Sequence, residues 1–186
     1  MNKELIVFID CGDTIIDEST QIFAENEDVL SAKPIEIADK VLHQLHDEGY
    51  RLVLVADGRV QSFYNILTGI GLNDLFEAQV ISETLGVHKP HPLMFERALE
   101  AVGLDRSEAY KTVMIGNNLK RDVLGANEMG IISILLSFSP RYVMQPETEK
   151  EVPDYVIALP SELPALLDVL EKQIQNRRIL RGKYIV

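Results

Sequence analysis

Short runs of apolar residues alternate along the chain with amphipathic segments of helical periodicity. The apolar runs predict strands, at residues 5–9, 51–56, 78–82, 112–115, 131–136 and 154–157. The amphipathic segments predict helices, at residues 34–48, 60–70, 92–102, 117–129 and 163–176. Within the first of these helices, Pro34 suits the first turn and Gly49 follows the end.

This alternation indicates a doubly wound α/β fold. The strands have few polar interruptions, as expected when both faces of a parallel sheet are covered by helices. We expect one three-layer domain over residues 1–186 with a mostly parallel central sheet, in which residues 177–186 form a C-terminal tail. Residues 17–33 and 138–153 show no regular pattern and are predicted to be irregular loops near strand ends.

The charge balance excludes one class of partner. The chain of 186 residues has 46% hydrophobic and 25% charged residues, with a formal net charge of −11. Such acidity argues against nucleic acid and is compatible with a small anionic substrate only where a local cation sits in the pocket. No apolar run is long enough to cross a membrane and no signal-peptide pattern is present, so we expect no membrane partner and a cytoplasmic location.

Asp10 is the most informative single residue, because it ends the first apolar run. A carboxylate at the carboxyl end of a buried strand lies where an open α/β sheet binds its ligand. Its desolvation cost predicts that it holds a metal, acts as a nucleophile or is satisfied by the following loop, although such a residue also serves as a turn or helix cap. The neighbouring Cys11 is the sole cysteine, and we interpret it as a small residue in a tight turn rather than a reactive thiol.

Three segments carry a pattern that is specific when they occur together and in this order. They are DCGDTII at residues 10–16, GVHKPHPLMF at 86–95 and VMIGNNLKRDVLGA at 113–126. Together they resemble the haloacid dehalogenase-like (HAD) superfamily, most of whose members are magnesium-dependent phosphatases. The resemblance implies the Rossmann-like fold of that superfamily and extends to about residue 157. Since the intervals between the segments hold only core elements, the chain is similar to capless members, which often take larger substrates or form homo-oligomers that cover the open site.

The resemblance also implies roles for individual residues. Asp10 would be the nucleophile that forms an aspartyl-phosphate, and Lys89 the cation that contacts both Asp10 and the phosphoryl oxygens. Mg²⁺ would be held by Asp10, the carbonyl of Gly12, Asn117 and Asp122. The substrate would be a small phosphorylated or otherwise anionic molecule.

Further residues are candidates for substrate binding. In addition to Lys89, they are Thr14, Asp57, Gly58 and Arg59. Asp57 also has a simpler interpretation as the cap of the helix that follows. His88 and His91 flank Lys89, but a zinc site would need a further ligand nearby, so we do not expect zinc.

The chain departs from the family pattern at three positions: Gly12, Ala56 and Asn117. Gly12 stands where phosphatases of the family carry an acid, and Asp13, one residue later, points elsewhere. Any activity is therefore expected to favour activated esters, whose leaving groups need little protonation. Ala56 lacks the usual phosphate-binding hydroxyl, for which Arg59 or the amide of Gly58 could substitute. Neutral Asn117 predicts weak Mg²⁺ binding.

Three functional hypotheses follow from these departures. The first is a weak or specialised phosphohydrolase that uses Asp10. The second is a non-catalytic or regulatory protein that keeps the fold and binds a ligand. The third is another hydrolase chemistry of the dehalogenase type, although those relatives resemble capped proteins with a serine at the Ala56 position. The fold cannot decide among them, because function resides in the site.

Overall fold

The computed structural model describes residues 3–138 and 141–182, with side chains described as far as residue 176. A six-stranded sheet of order β5-β4-β1-β6-β7-β8 forms the centre of the molecule, and all its neighbouring strands are parallel. Its strands are β1 (Ile6–Ile9), β4 (Arg51–Ala56), β5 (Phe76–Ile81), β6 (Thr112–Gly116), β7 (Ile132–Leu136) and β8 (Tyr155–Ile157). The predicted α/β fold with a mostly parallel sheet is confirmed.

Helices cover both faces of this sheet and complete the three layers. They are α1 (Ala38–Asp47), α2 (Val60–Gly69), α3 (Ser82–Leu85), α4 (Pro92–Ala101), α5 (Leu124–Met129) and α6 (Leu163–Gly182). Side chains of α1, α2 and α6 form one core cluster, and side chains of α4 and α5 form the other. In β1, Val7 and Ile9 belong to the first cluster while Ile6 and Phe8 belong to the second, which explains the uninterrupted apolar run.

The register of the sheet brings three chain segments to one edge. Ile9 at the end of β1 pairs with Leu54 of β4 and Ile115 of β6. The N–H of Asp10 continues the ladder by donating to the carbonyl of Ile115 at 2.9 Å. The carboxyl ends of parallel strands share an edge, so the residues that follow these strands meet around Asp10.

A β-hairpin projects from this edge, and here two predictions were wrong. Residues 17–33 form the antiparallel strands β2 (Ile16–Phe23) and β3 (Val29–Pro34) instead of an irregular loop. Apolar and polar residues do not alternate along β2. Most of its residues are partly or fully exposed, so burial imposes no period-two pattern on them. Pro34 ends β3 rather than opening a helix, and α1 begins four residues later, at Ala38.

The remaining connections are short. Between β1 and β4 the chain forms only the hairpin and α1, and between β4 and Lys89 it forms α2, β5, α3 and a short 3₁₀ turn, so the described residues contain no cap domain.

Residues 141–153 hold a single 3₁₀ turn at Glu149–Glu151, while residues 139 and 140 lie outside the described part. The backbone of α6 extends through residues 177–182 of the predicted tail, and residues 183–186 lie outside the described part. No helix among the described residues is long and apolar enough to cross a membrane.

Candidate active site

The ammonium group of Lys89 lies at the centre of a buried cluster of charges. Its Nζ atom is 2.8 Å from Oδ1 of Asp10 and 2.7 Å from Oδ1 of Asp122, and it donates a hydrogen bond of 2.8 Å to the carbonyl of Val55. Lys89 is only 4% exposed. The structure therefore brings together one predicted residue from each of the three sequence segments.

Burial and neighbouring charges shift the pKa values of Lys89 and Asp122. Burial by itself would lower the pKa of Lys89, but Asp10, Asp122 and Asp57 together raise it above its usual value, so the ammonium stays charged. Burial raises the pKa of Asp122 to about 6; Asp10 adds to this effect and Lys89 opposes it. A single cation facing two buried carboxylates leaves the site with an excess of negative charge whenever both are ionised.

The segment around Lys89 is held by its own local contacts. The N–H of Lys89 donates to Oδ1 of Asp57 at 3.0 Å, and the peptide bond from Lys89 to Pro90 is cis. The ring of His91 accepts the N–H of Leu93 at 3.2 Å and so caps α4. His91 thus has a structural task.

Asp122 is positioned by the turn that follows β6. Its Oδ2 accepts the N–H of Asn118 at 3.0 Å, and the chain forms a π-helical turn over Leu119–Val123. A Cβ atom built on Gly116 would lie 2.3 Å from the Asp122 carboxyl group, so any side chain at residue 116 would displace this carboxylate. The absence of a side chain at Gly116 therefore allows Asp122 to occupy this place.

The residues of this edge fit a divalent cation with oxygen ligands. Both polar atoms of the Asn117 side chain are buried without a hydrogen-bond partner, and Oδ1 of Asp122 has only its ion pair with Lys89. Within the described residues no three acidic, histidine or cysteine side chains converge. A metal here would therefore depend on the amide oxygen of Asn117 and a backbone carbonyl such as that of Gly12, in addition to Asp10 and Asp122. Mg²⁺ accepts such ligands and keeps several waters.

A cavity of about 220 Å³ opens beside Asp10, between the sheet edge and the hairpin. Residues from both sides line it, among them Asp10, Gly12, Glu18, Asp57, Gly58, Arg59 and Arg121. A pocket lined by both acidic and basic side chains suits a small anionic ligand held through a cation.

Arg59 and Gly58 form one wall of the cavity. The guanidinium of Arg59 donates to the carbonyl of Asn26 and lies 3.2 Å from Oδ1 of Asp28, so it ties the hairpin to the start of α2. The N–H of Gly58 donates a hydrogen bond to the hydroxyl of Ser82 at 2.9 Å.

Asp57 does not cap α2, contrary to the simpler interpretation of this residue. No side chain caps that helix at its first position, and the N–H of Val60 is instead accepted by Glu83 at 2.8 Å. Asp57 serves the Lys89 segment, where it accepts a backbone N–H.

Arg121 is a cavity residue that sequence reasoning missed. Its Nη2 donates to the hydroxyl of Tyr142 at 2.8 Å, its guanidinium lies 5.0 Å from the centre of the Tyr142 ring, and its Nη1 is 3.7 Å from Oδ2 of Asp57. The only available signal was its position directly before Asp122. It places a permanent positive charge in the cavity that also contains Asp10.

Glu18 is a second missed residue and lies directly over Gly12. Its Oε1 would be 2.0 Å from a Cβ atom built on that glycine. Burial raises the pKa of Glu18, with Asp13 adding to the effect, Arg141 opposing it and Asp10 raising it further. Sequence reasoning could not find it, because residues 17–33 were expected to be irregular.

Several residues that the sequence motifs single out do not line the cavity. The carboxylate of Asp13 is paired with Arg141 and accepts the N–H of Glu18 at 3.0 Å. Thr14 is buried and lines a separate interior cavity with apolar neighbours. Ala56 is fully buried in the core and offers no hydroxyl. Burial raises the pKa of the Cys11 thiol well above its usual value, which agrees with a packing role.

The fold is a three-layer α/β domain with a parallel sheet, and Lys89, Asp10 and Asp122 meet at the carboxyl edge of that sheet. The chain belongs to the haloacid dehalogenase-like hydrolase family, because the profile of that family matches residues 6–136. A curated relative, the glyceraldehyde 3-phosphate phosphatase of Pyrococcus furiosus, is 36% identical over 136 residues, which span 73% of this chain and 54% of that protein. The chain thus spans about half the length of the curated relatives it matches.

Solved structures show the same architecture. A HAD phosphatase from Thermococcus onnurineus superposes with a TM-score of 0.70 at 18% identity, over 88% of this chain and 97% of that one. The HAD hydrolase YfnB from Bacillus subtilis, solved bound to magnesium, gives a TM-score of 0.64 at 25% identity, over 73% of this chain and 56% of that one. The first comparison supports the fold alone, and it spans nearly the whole of both chains.

Proposed function

We propose that the protein is a Mg²⁺-dependent phosphohydrolase that transfers a phosphoryl group to Asp10. The observation that carries this proposal is the contact of Lys89 with both Asp10 and Asp122, next to a cavity that Asp10 lines. Membership of a hydrolase family and a relative named as a phosphatase support it. The magnesium bound by YfnB supports the choice of metal.

Each side chain of the cluster has a task in such a reaction. Lys89 holds one oxygen of Asp10 and orients the carboxylate, which leaves the other oxygen to attack phosphorus. The bond from phosphorus to Asp10 forms as the bond to the leaving oxygen breaks, and water then attacks phosphorus and regenerates the carboxylate. Bound Mg²⁺ would be held by Asp10, Gly12, Asn117 and Asp122 and would shield the phosphoryl oxygens from Asp10.

Arg121 compensates for the hydroxyl that Ala56 lacks. It is a cation on the wall of the cavity that contains Asp10, and its ring contact with Tyr142 restricts its motion. Arginine binds phosphoryl oxygens through paired N–H groups. Arg59 is committed to the hairpin and supplies charge from further away. The substrate class is therefore a small phosphorylated molecule whose phosphoryl end lies between Asp10 and Arg121.

A phosphatase screen with Mg²⁺ tests the proposal against a binding protein without turnover. Wild type, Asp10→Asn and the control Asp47→Asn are compared on a panel of aryl and alkyl phosphates; Asp47 is 83% exposed on α1. We expect hydrolysis by wild type and control and none by Asp10→Asn. A wild type without activity on the whole panel, or an Asp10→Asn variant with wild-type activity, would refute the proposal.

A further inference from the structure

The space above Gly12 is filled by the carboxyl group of another residue. From a Cβ atom built on Gly12, Oε1 of Glu18 would lie at 2.0 Å, its Cδ at 2.8 Å and its Cγ at 3.2 Å. Any side chain at residue 12, an aspartate included, would compete with Glu18 for this volume. Gly12 therefore leaves room for Glu18, and a carboxyl group is present beside the nucleophile after all.

The hairpin holds Glu18 in this place. The N–H of Glu18 donates to Oδ1 of Asp13 at 3.0 Å, and Asp13 is itself paired with Arg141. Nε of Arg141 lies 3.7 Å from Oε2 of Glu18, on the side opposite the oxygen that faces Gly12. The side chain is 34% exposed and lines the same cavity as Asp10. One carboxyl oxygen thus faces Arg141, while the other lies against Gly12, two residues after Asp10.

We infer that Glu18 is the catalytic acid and base of this site, supplied by the hairpin instead of by the residue two positions after the nucleophile. The inference rests on the proposed function. Glu18 gives its proton to the leaving oxygen as the bond from phosphorus to that oxygen breaks and the bond to Asp10 forms. The resulting carboxylate then takes a proton from the water that attacks phosphorus, the bond to Asp10 breaks, phosphate leaves and Glu18 is again protonated.

Among the residues that the structure describes, Glu18 is the acidic side chain of the cavity wall that packs against Gly12. Glu27 and Asp57 also line the cavity, and Oδ2 of Asp57 has no hydrogen-bond partner, whereas Asp13 lies outside the lining. Asp13 has both carboxyl oxygens engaged by Arg141, and one of them also accepts the N–H of Glu18. Asp57 accepts the backbone N–H of Lys89. The assignment replaces the expectation that the site favours activated esters: with Glu18 in place, alkyl phosphates, whose leaving groups need a proton, become substrates.

Leaving-group dependence tests the inference. The kcat/KM values for an aryl phosphate (4-nitrophenyl phosphate) and an alkyl phosphate (glycerol 3-phosphate) are measured for four proteins. These are the wild type, Glu18→Gln, the control Glu25→Gln from the exposed part of the same hairpin, and the double variant Gly12→Asp/Glu18→Ala. Circular dichroism melting checks that each variant folds.

We expect Glu18→Gln to lower the alkyl rate by about 10²–10⁴ and the aryl rate by about tenfold or less. Glu25→Gln should leave both rates unchanged. In the double variant the aspartate at residue 12 supplies a carboxyl group in place of Glu18. Its kcat/KM for the alkyl phosphate should therefore be higher than that of Glu18→Gln.

The possible failures are distinguishable. If the wild type hydrolyses neither ester, or hydrolyses them equally well without Asp10, the proposed function and the role of Glu18 are both overturned. Wild-type hydrolysis that depends on Asp10, combined with an alkyl-to-aryl ratio that is unchanged in Glu18→Gln, overturns the role of Glu18 alone. An equal loss on both esters would make Glu18 a binding residue and would likewise contradict the inference.

Discussion

Lys89 and Asp122 form an ion pair of 2.7 Å between side chains that are both almost completely buried. The same ammonium holds Asp10, so one cation links the strand that carries the nucleophile to the turn after β6. A buried pair adds little net stability when it is complete, but loss of one partner leaves an uncompensated charge. This asymmetry determines how the site responds to substitution.

Removal of the cation should destabilise the protein strongly. Lys89→Met leaves Asp10 and Asp122 facing each other in a buried site, and we expect the free energy of unfolding at neutral pH to fall by about 3–5 kcal/mol. Urea denaturation measures the change. Lys40→Met, an exposed lysine on α1, is the control and should change stability by less than about 0.5 kcal/mol. Equal stability of Lys89→Met and wild type would show that the cluster is not desolvated.

The metal-free protein should lose stability as Asp122 ionises. Burial raises the pKa of Asp122 from the ordinary value of 3.8 to about 6, so folding favours its protonated form. Since the folded state then binds more protons than the unfolded state, the contribution of Asp122 to the free energy of unfolding falls as the pH rises between these two values. Asp122→Asn removes this contribution, whereas Asp47→Asn does not. Thermal melts at a series of pH values, in the presence of a chelator, measure how the melting temperature changes with pH. An unchanged pH dependence in Asp122→Asn would contradict the assignment.

A charge at residue 117 should tighten the metal site. Asn117 is buried with both side-chain polar atoms unpaired, so Asn117→Asp adds a carboxylate without breaking a hydrogen bond. We expect a lower dissociation constant for Mg²⁺ in isothermal titration calorimetry, because affinity rises with the charge of the ligands. Absence of Mg²⁺ binding in both proteins would show that these residues do not form a metal site.

Two glycines provide a matched steric test. A methyl group at residue 116 would lie 2.3 Å from the carboxyl carbon of Asp122, so Gly116→Ala should displace that carboxylate and abolish Mg²⁺ binding. Gly69→Ala in α2 meets no atom within 4 Å and should raise the free energy of unfolding by about 0.5–1 kcal/mol. Mg²⁺ titration and urea denaturation of both variants check the pair. Wild-type Mg²⁺ affinity in Gly116→Ala would show that Asp122 is not needed in its observed place.

The sequence predicted the parts of the site that follow buried strands. Apolar runs reveal strands covered on both faces, and parallel pairing then brings the strand ends to one edge. That reasoning located Asp10, and the Lys-Pro segment supplied Lys89. The contact between them at 2.8 Å agrees with the expectation that they meet.

The hairpin and its residues could not be predicted in the same way. Strands β2 and β3 are largely exposed, so burial leaves no periodic pattern in their sequence, and Pro34 indicated a helix start where it ends a strand. Glu18 reaches Gly12 only because the hairpin folds back over the sheet edge. Arg121 gains its role from Tyr142, which lies in a segment without a regular pattern. These contacts depend on tertiary structure, which local sequence does not encode.

The central claim is that Asp10 carries the phosphoryl group during turnover, and mass spectrometry of acid-quenched protein tests it most directly. Wild-type protein is mixed with Mg²⁺ and 4-nitrophenyl phosphate, quenched within the first turnovers and digested. We predict one phosphoryl group on the peptide that contains Asp10, and none on that peptide from Asp10→Asn. Hydrolysis of the ester without a phosphoryl group on Asp10, or with the group on another residue, would contradict the account.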